Sequence, residues 1–118
     1  NKKILNVLGN GNQKKSYLHV YDCIDAIFKA LKYKNKSHVS IYNLGNKNYI
    51  SVKQSIKIIT DNLKLKPKLK FQKQKRGWIG DVPFILLDIN KIKKTGWRAK
   101  FSIKESIINT LNYLKKKK

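Results

Sequence analysis

What most restricts this chain is the way helical and strand periodicities take turns along it, in pieces too short to stand alone. Asp22 can cap a helix in which Cys23, Ile24, Ile27, Phe28 and Leu31 recur at helical spacing to about Tyr33, so that face is expected in the core. Ser51 with Gln54, and Ser102 with Glu105, form two capping boxes. They open helices presenting Ile56, Ile59 and Leu63 in one case and Ile103, Ile107, Leu111 and Leu114 in the other, and the first should end before Pro67. Asp88 can cap a short helix that stops at Gly96. Between these pieces lie strand signals. Lys3 to Leu8 ends at Gly9-Asn10-Gly11, a turn signal that predicts a hairpin with the extended run Ser16 to Val20. A polar stretch, Lys34 to His38, leads into a β-rich run, Val39 to Leu44, and Leu69 and Phe71 alternate with Lys68 and Lys70 as in a half-exposed strand. The expectation is one small mixed α/β domain over residues 1–118, with no internal repeat or linker.

Several function classes drop out. The longest apolar run is four residues, far short of the roughly 20 that span a bilayer. A single cysteine, Cys23, forms no internal disulfide, and with two isolated histidines, His19 and His38, leaves little to hold a metal. These features fit a soluble, cytoplasmic protein. With 118 residues and Asn1 rather than methionine in first place, the chain is expected to be a fragment of a longer one.

The net charge of +22 invites a nucleic-acid reading, since lysine and arginine neutralise phosphates. The basic residues, however, are 26 lysines against two arginines, and with 15 isoleucines and 12 asparagines they share A/T-rich codons. Such a bias loads solvent faces with lysine whatever the protein does, whereas base recognition favours the arginine fork. A small basic nucleic-acid-binding module is therefore the alternative reading, and no specific nucleic-acid partner is expected.

Isolated chemical motifs are weak. Tyr-x-x-x-Lys occurs at Tyr49/Lys53 and Tyr113/Lys117, but lysine is frequent enough to produce such pairs by chance, and Tyr49 precedes the Ser51 cap. No helix follows Gly9-Asn10-Gly11 directly, so it offers no helix N-terminus to a phosphate. Cys23 falls on the apolar face of its helix, and His19 has no catalytic partner at a telling spacing. Arg76 to Pro83, with Gly77, Trp78 and Gly80, is too irregular for a regular element and too apolar to hang free.

Order carries more than any single motif. Gly9-Asn10-Gly11-Asn12-Gln13-Lys14-Lys15-Ser16-Tyr17-Leu18-His19-Val20-Tyr21-Asp22 is similar to the Gly-x-Gly-x-Gln-x-Arg segment, with its following strand and Asp, of extended short-chain dehydrogenases that act on nucleotide sugars. Then follow Tyr42-Asn43-Leu44-Gly45, Ile50-Ser51-Val52, Arg76-Gly77-Trp78-Ile79-Gly80-Asp81-Val82-Pro83, Asp88-Ile89-Asn90-Lys91-Ile92 and Gly96-Trp97. Together they resemble the C-terminal substrate-binding lobe of the NAD-dependent epimerase/dehydratase family, nearest its UDP-glucose 4-epimerase-like members.

The resemblance implies roles. Gln13 and Lys15 occupy the Gln-x-Arg positions, and Lys15 would meet the nucleotide diphosphate with the charge of the family's arginine but without its fork. Gly80 and Asp81 match the family's Arg-x-Gly-Asp, whose Asp lies near the ribose, while Trp78 stands at the Arg position and Arg76 two residues earlier. Arg76 would reach the phosphates by another route. Two readings of Trp78 stand, packing on the uracil or sugar and plugging the loop, and Asp81 has a second reading as a turn cap. The glycine fingerprint and catalytic tyrosine of the family would lie upstream in a Rossmann lobe that holds NAD and carries any homodimer contact. Alone, this portion would bind a UDP-sugar but contain no catalytic residue.

Overall fold

β1 (Ile4–Val7) runs parallel to β4 (Lys68–Phe71), with Ile4 opposite Lys68 and Val7 opposite Phe71. β2 (Lys14–Lys15) runs antiparallel to β3 (Ile50–Ser51). The remaining elements are α1 (Val20–Lys32), α2 (Val52–Asn62), α3 (Asn90–Lys93) and α4 (Ile103–Lys116), giving the expected mixed α/β class. The computed structural model describes residues 3–34 and 38–116; part of the polar stretch before Val39, and Lys117 with its Tyr113 pairing, lie outside the described residues.

The hairpin read from Gly9-Asn10-Gly11 does not form, because β1 takes β4 as its neighbour and β2 takes β3. The glycines do turn the chain, Gly9 at φ 75° and Gly11 at φ 78°. Their carbonyls, though, face other elements. Gln72 N–H donates to Gly9 O, Lys53 N–H to Gly11 O and Val52 N–H to Gln13 O, each at 3.0 Å. The turn is thus a clamp between β4 and the first turn of α2, and it satisfies N–H groups that a helix start leaves without intrahelical partners. The run Ser16 to Val20, expected as a strand, forms none: the strand β2 lies just before it at Lys14–Lys15, Ser16–His19 is irregular and Val20 opens α1.

The cap of α1 is His19, not Asp22: its Nδ1 accepts from Tyr21 N–H at 3.2 Å. Asp22 lies inside the first turn and is 1% exposed. Its carboxylate accepts from the N–H groups of Lys100 (3.0 Å) and Phe101 (3.1 Å), while its carbonyl accepts from the Trp97 indole N–H at 2.9 Å. These bonds fix the rotation of α1. Ala26, Ile89, Ile92 and Trp97 make the buried cluster, and Leu18, Ala30, Tyr42, Leu44 and Ala99 pack around it. The face expected in the core is consequently turned outward. Ile24, Ile27, Phe28 and Leu31 are all exposed and Cys23 is half-buried, because the stripe of small side chains at Ala26 and Ala30 is what admits the indole.

Both capping boxes form as read, Ser51 with Gln54 and Ser102 with Glu105. α2 and α4 then pack together, with Ser55, Ile103 and Ser106 buried and Ile56, Ile59, Ile107 and Leu111 half-buried. Leu114 is exposed instead of buried, since α4 has 14 residues against the 11 of α2 and its last turn outruns its cover. Asp88 does steady the start of α3, accepting from Asn90 N–H at 2.8 Å, although the cap position itself is Ile89. Gly96, at φ 83°, ends that turn. Val39 to Leu44, read as a strand, belongs to no strand ladder among the described residues, yet Tyr42 and Leu44 face the core while Ile41 is exposed.

Asp22→Ala is expected to cost about 2–4 kcal/mol, because it removes two hydrogen bonds to a charged acceptor and leaves their donors without a partner. Asp22→Asn keeps one acceptor oxygen and is expected to cost less. Denaturant unfolding reads both, and an unchanged Asp22→Ala midpoint would remove the carboxylate from the fold's framework.

Candidate functional site

β2 and the irregular segment after β4 are brought together by backbone and side chain at once. Lys14 N–H donates to Pro83 O at 2.7 Å, and Lys14 bridges to Phe84 in a parallel sense. One residue on, the Lys15 ammonium bonds Asp81 Oδ1 at 2.5 Å and Val82 O at 2.7 Å. Asp81 has three further ties. Its Oδ2 accepts from Gly77 N–H at 2.9 Å and from Gln13 Nε2 at 3.4 Å, and its own N–H donates to Trp78 O at 3.1 Å. The carboxylate therefore holds both ends of the 77–81 turn and the strand beneath it.

Gln13 is the buried post of this arrangement, 3% exposed. Its Nε2 also donates to Leu8 O at 3.1 Å, and its Oε1 is buried without a protein partner. The turn before it must be glycine for a concrete reason: a Cβ on Gly9 would fall 2.1 Å from Gln13 Nε2. The same loop gives Asn10 Oδ1 to Asn12 N–H at 2.9 Å, a side-chain turn that sets up the approach to Gln13.

The ionisation of Asp81 follows from these partners. The Lys15 ammonium, and then the Gly77 N–H, hold its carboxyl below the ordinary aspartate value of 3.8. Lys15 keeps an open valence. An ammonium has three N–H donors, and here two are directed at Asp81 and Val82.

Of the residues singled out from sequence, Gln13, Lys15 and Asp81 meet directly. Gly80 lies under the Trp78 ring, whose Cζ3 is 2.3 Å from where a Gly80 Cβ would stand. Trp78 is nonetheless 65% exposed, so its ring covers the turn without filling the core. Arg76 is exposed, and lines with Gln74, Lys75, Trp78 and Ile79 a shallow cavity of about 480 Å³ that Gln13 and Lys15 do not line. It does not meet Lys15. Sequence reasoning named Gly77 in the loop but assigned no role to its amide, which binds Asp81; the signal available was its place four residues before the Asp, the span of one closed turn. Nor did it mark the aromatic edge beside Lys14, where Tyr49 and Phe84 meet edge-on at 5.0 Å and the Lys14 ammonium lies 4.9 Å from the Tyr49 centroid.

The other candidates take structural places. His19 caps α1 and stacks on Phe101 at 4.1 Å. Tyr49 precedes β3 while Lys53 sits on α2, its ammonium bonded to Asn12 Oδ1 at 3.0 Å, so they form no dyad. Among the described residues no three His, Cys, Asp or Glu side chains group as metal ligands, and no helix is long and apolar enough to cross a membrane.

The site prediction concerns acid. Because the folded value of Asp81 is lowered, the stability its pairing contributes is complete above 3.8 and is lost as pH falls through the lowered value. Wild type should therefore exceed Asp81→Asn in denaturant midpoint near neutrality, and the gap should close below pH 3.8. A gap that persists into strong acid would show that the Lys15–Asp81 pair does not hold the turn.

Residues 1–45 match the model described as the NAD dependent epimerase/dehydratase family. A Methanocaldococcus jannaschii protein named "Putative UDP-glucose 4-epimerase" is 30% identical over 109 residues, covering 92% of this chain and 33% of the relative. The UDP-glucose 4-epimerase of Thermotoga maritima, solved with UDP-glucose, superposes with a TM-score of 0.79 at 25% identity, over 96% of this chain and 35% of that one. The protein MoeE5, solved with UDP-glucuronic acid and NAD, shares the fold at a TM-score of 0.85 and 18% identity, over 98% of this chain and 38% of that one. The chain spans about a third of the length of the curated relatives it matches.

Proposed function

We propose that this chain, whose sequence and fold resemble part of the NAD-dependent epimerase/dehydratase family, is the nucleotide-sugar-binding portion of a longer sugar epimerase or dehydratase. UDP-sugars are the ligand class we assign to it, by analogy with the ligands of the solved relatives. The observation that carries this reading is the meeting of Gln13 and Lys15 with Asp81, 66 residues beyond Lys15, three residues that the family resemblance assigns to one ligand.

The roles we assign use this geometry. The remaining Lys15 donor supplies a point charge to a diphosphate oxygen, and Asp81, oriented by Gly77 and Gln13, has acceptor capacity left for a ribose hydroxyl. The buried Gln13 Oε1 awaits a donor. Arg76 and Trp78 flank the turn, where the cation adds attraction for phosphate and the indole a flat apolar surface for a base or sugar. These residues do not fit NAD. Gly9-Asn10-Gly11 leads into β2 instead of a helix, and two amides of the first turn of α2 are already bonded to Gly11 and Gln13 carbonyls. NAD is assigned to an N-terminal Rossmann lobe of the same polypeptide. What residues 1–118 contribute is position: holding the nucleotide fixes where the sugar ring lies relative to groups elsewhere.

Calorimetric titration of the whole polypeptide with UDP tests this. Lys15→Ala and Arg76→Ala are each expected to weaken binding by about 1–3 kcal/mol, the range for a charge-assisted hydrogen bond. Unchanged affinity in both variants would take them out of the site. Trp78 provides an independent readout. In a Trp97→Phe background with tryptophans beyond these residues replaced, UDP should shift its emission, and binding without a shift would make Trp78 a cover for Gly80 only.

A further inference from the structure

Three chain segments around Trp97 leave between them a cavity of about 470 Å³ that no residue of the Gln13, Lys15 and Asp81 site lines. They are the Asn46–Asn48 loop, Ile89 and Lys93 around α3, and the stretch from Trp97 to Glu105. The volume falls within the roughly 300–1,000 Å³ of small-molecule sites. Its apolar lining is held in place from behind. Ile89 and Trp97 belong to the buried cluster, Ala99 packs against it, and Phe101 stacks on His19 at 4.1 Å. The polar lining is held as well. Asn46 is 5% exposed, its Nδ2 donates to Phe101 O at 3.1 Å and its Oδ1 accepts from Asn48 N–H at 3.2 Å, which leaves one N–H of the amide to spend.

Charge decides what such a cavity takes. Lys47, Lys93, Arg98 and Lys100 line it against one carboxylate, Glu105, which already accepts from Ser102 N–H at 2.7 Å. Among the described residues none of these four cations is in an ion pair. Arg98 is the informative member, since lysine is this chain's ordinary base, 26 against two arginines. Its Nη1 donates to Lys93 O and to Trp97 O, each at 2.7 Å. Those two bonds pin the guanidinium plane and leave the three N–H donors of Nη2 and Nε in a fixed fork, whereas an ammonium making the same two bonds would keep one.

We propose that this cavity is a second anion-binding site, for a small phosphate monoester whose phosphate meets the Arg98 fork and the neighbouring ammonium groups and whose organic part lies against Ala99 and Phe101. A phosphate suits the donors better than a carboxylate does, because its three terminal oxygens can meet a planar fork and separate point charges at once. The space is larger than phosphate alone requires, and the half-buried Ala99 and Phe101 offer the remainder an apolar surface. Lining drawn from three segments surrounds a compact ligand, whereas a strand of nucleic acid needs an open track. The proposal does not depend on the nucleotide-sugar reading, since the two sites share no residue.

The test is calorimetric titration of the whole polypeptide with glucose 1-phosphate, with and without saturating UDP. Binding is expected in both conditions, weakening as salt rises, and inorganic phosphate is expected to bind less tightly than the ester. Arg98→Ala should weaken binding about tenfold or more, the scale of a lost charge-assisted hydrogen bond. That variant also gives up the bonds to the Lys93 and Trp97 carbonyls, so a second one removes only exposed ammonium groups. Lys47→Gln combined with Lys100→Gln should likewise weaken binding about tenfold while leaving the denaturant midpoint unchanged. No binding at millimolar glucose 1-phosphate, binding abolished by UDP, or binding unaltered in both variants would overturn the site. Inorganic phosphate binding as tightly as the ester would overturn the place given to Ala99 and Phe101. Loss of UDP binding with glucose 1-phosphate binding intact sinks the nucleotide-sugar reading alone.

Discussion

The fold hangs on one contact, between the first turn of α1 and the Trp97–Phe101 segment. Trp97 is fully buried and must place its indole N–H; the Asp22 carbonyl takes it. The Asp22 carboxylate then takes two successive amides, Lys100 and Phe101, just before α4 begins. Residues 75 or more positions apart are thereby locked in register by three hydrogen bonds to one residue, two to its carboxylate and one to its carbonyl. Everything downstream inherits that geometry. The rotation of α1 decides which of its sides is inward, the position of residue 101 decides where α4 starts, and α4 in turn packs on α2, whose first turn is clamped by the Gly9–Gln13 loop. A negative charge in the first turn of α1 also suits the positive end of the helix.

This explains where the sequence was readable. Capping boxes are written within four residues and need nothing from the rest of the chain, so Ser51/Gln54 and Ser102/Glu105 were legible. The pairing of β1 was not, because Gly9-Asn10-Gly11 specifies a turn but not which backbone lies beyond it, and β4 is more than 60 residues away. The face of α1 was misread for a related reason. Both its stripes are spaced correctly for a core, and hydrophobicity ranks Ile24, Ile27, Phe28 and Leu31 above Ala26 and Ala30. Volume decides the other way, since the fully buried Trp97 demands small neighbours.

The grouping of Gln13, Lys15 and Asp81 was legible by resemblance and not by local chemistry. Nothing in the spacing of Gln13, Lys15 and Asp81 brings them together; the motif order did, and the Lys15–Asp81 pair joins positions 66 residues apart. What the order could not convey is how the turn is built. Gly77 serves by having an accessible amide four residues before Asp81, and Val82 by a carbonyl, contributions that any residue's backbone can make and that leave no mark in side-chain patterns. The lysine at position 15 also acquires a structural reason. An arginine fork would lie flat and bidentate on the Asp81 carboxylate, engaging both oxygens. The ammonium engages Oδ1 alone and leaves Oδ2 to Gly77 and Gln13.

In a chain this rich in lysine, the rare acids mark the structure better than the abundant bases do. There are six carboxylates against 28 basic residues. Asp22 ties α1 to the segment before α4; Asp88 turns the chain into α3; Glu105 completes the cap of α4; Asp61 pairs with Lys57 within α2; Asp81 closes the candidate site. Five of six hold a defined bond. An exposed ammonium is satisfied by water and needs no fixed partner, so a lysine on a solvent face says little about the structure around it. A carboxylate such as Asp22, Asp81, Asp88 or Glu105 is different, because it accepts from particular donors whose loss would leave a core junction, a turn or a helix start without its acceptor. That asymmetry separates Asp81 from the exposed lysines around it. Lys15 gains its meaning from being the base that this carboxylate holds.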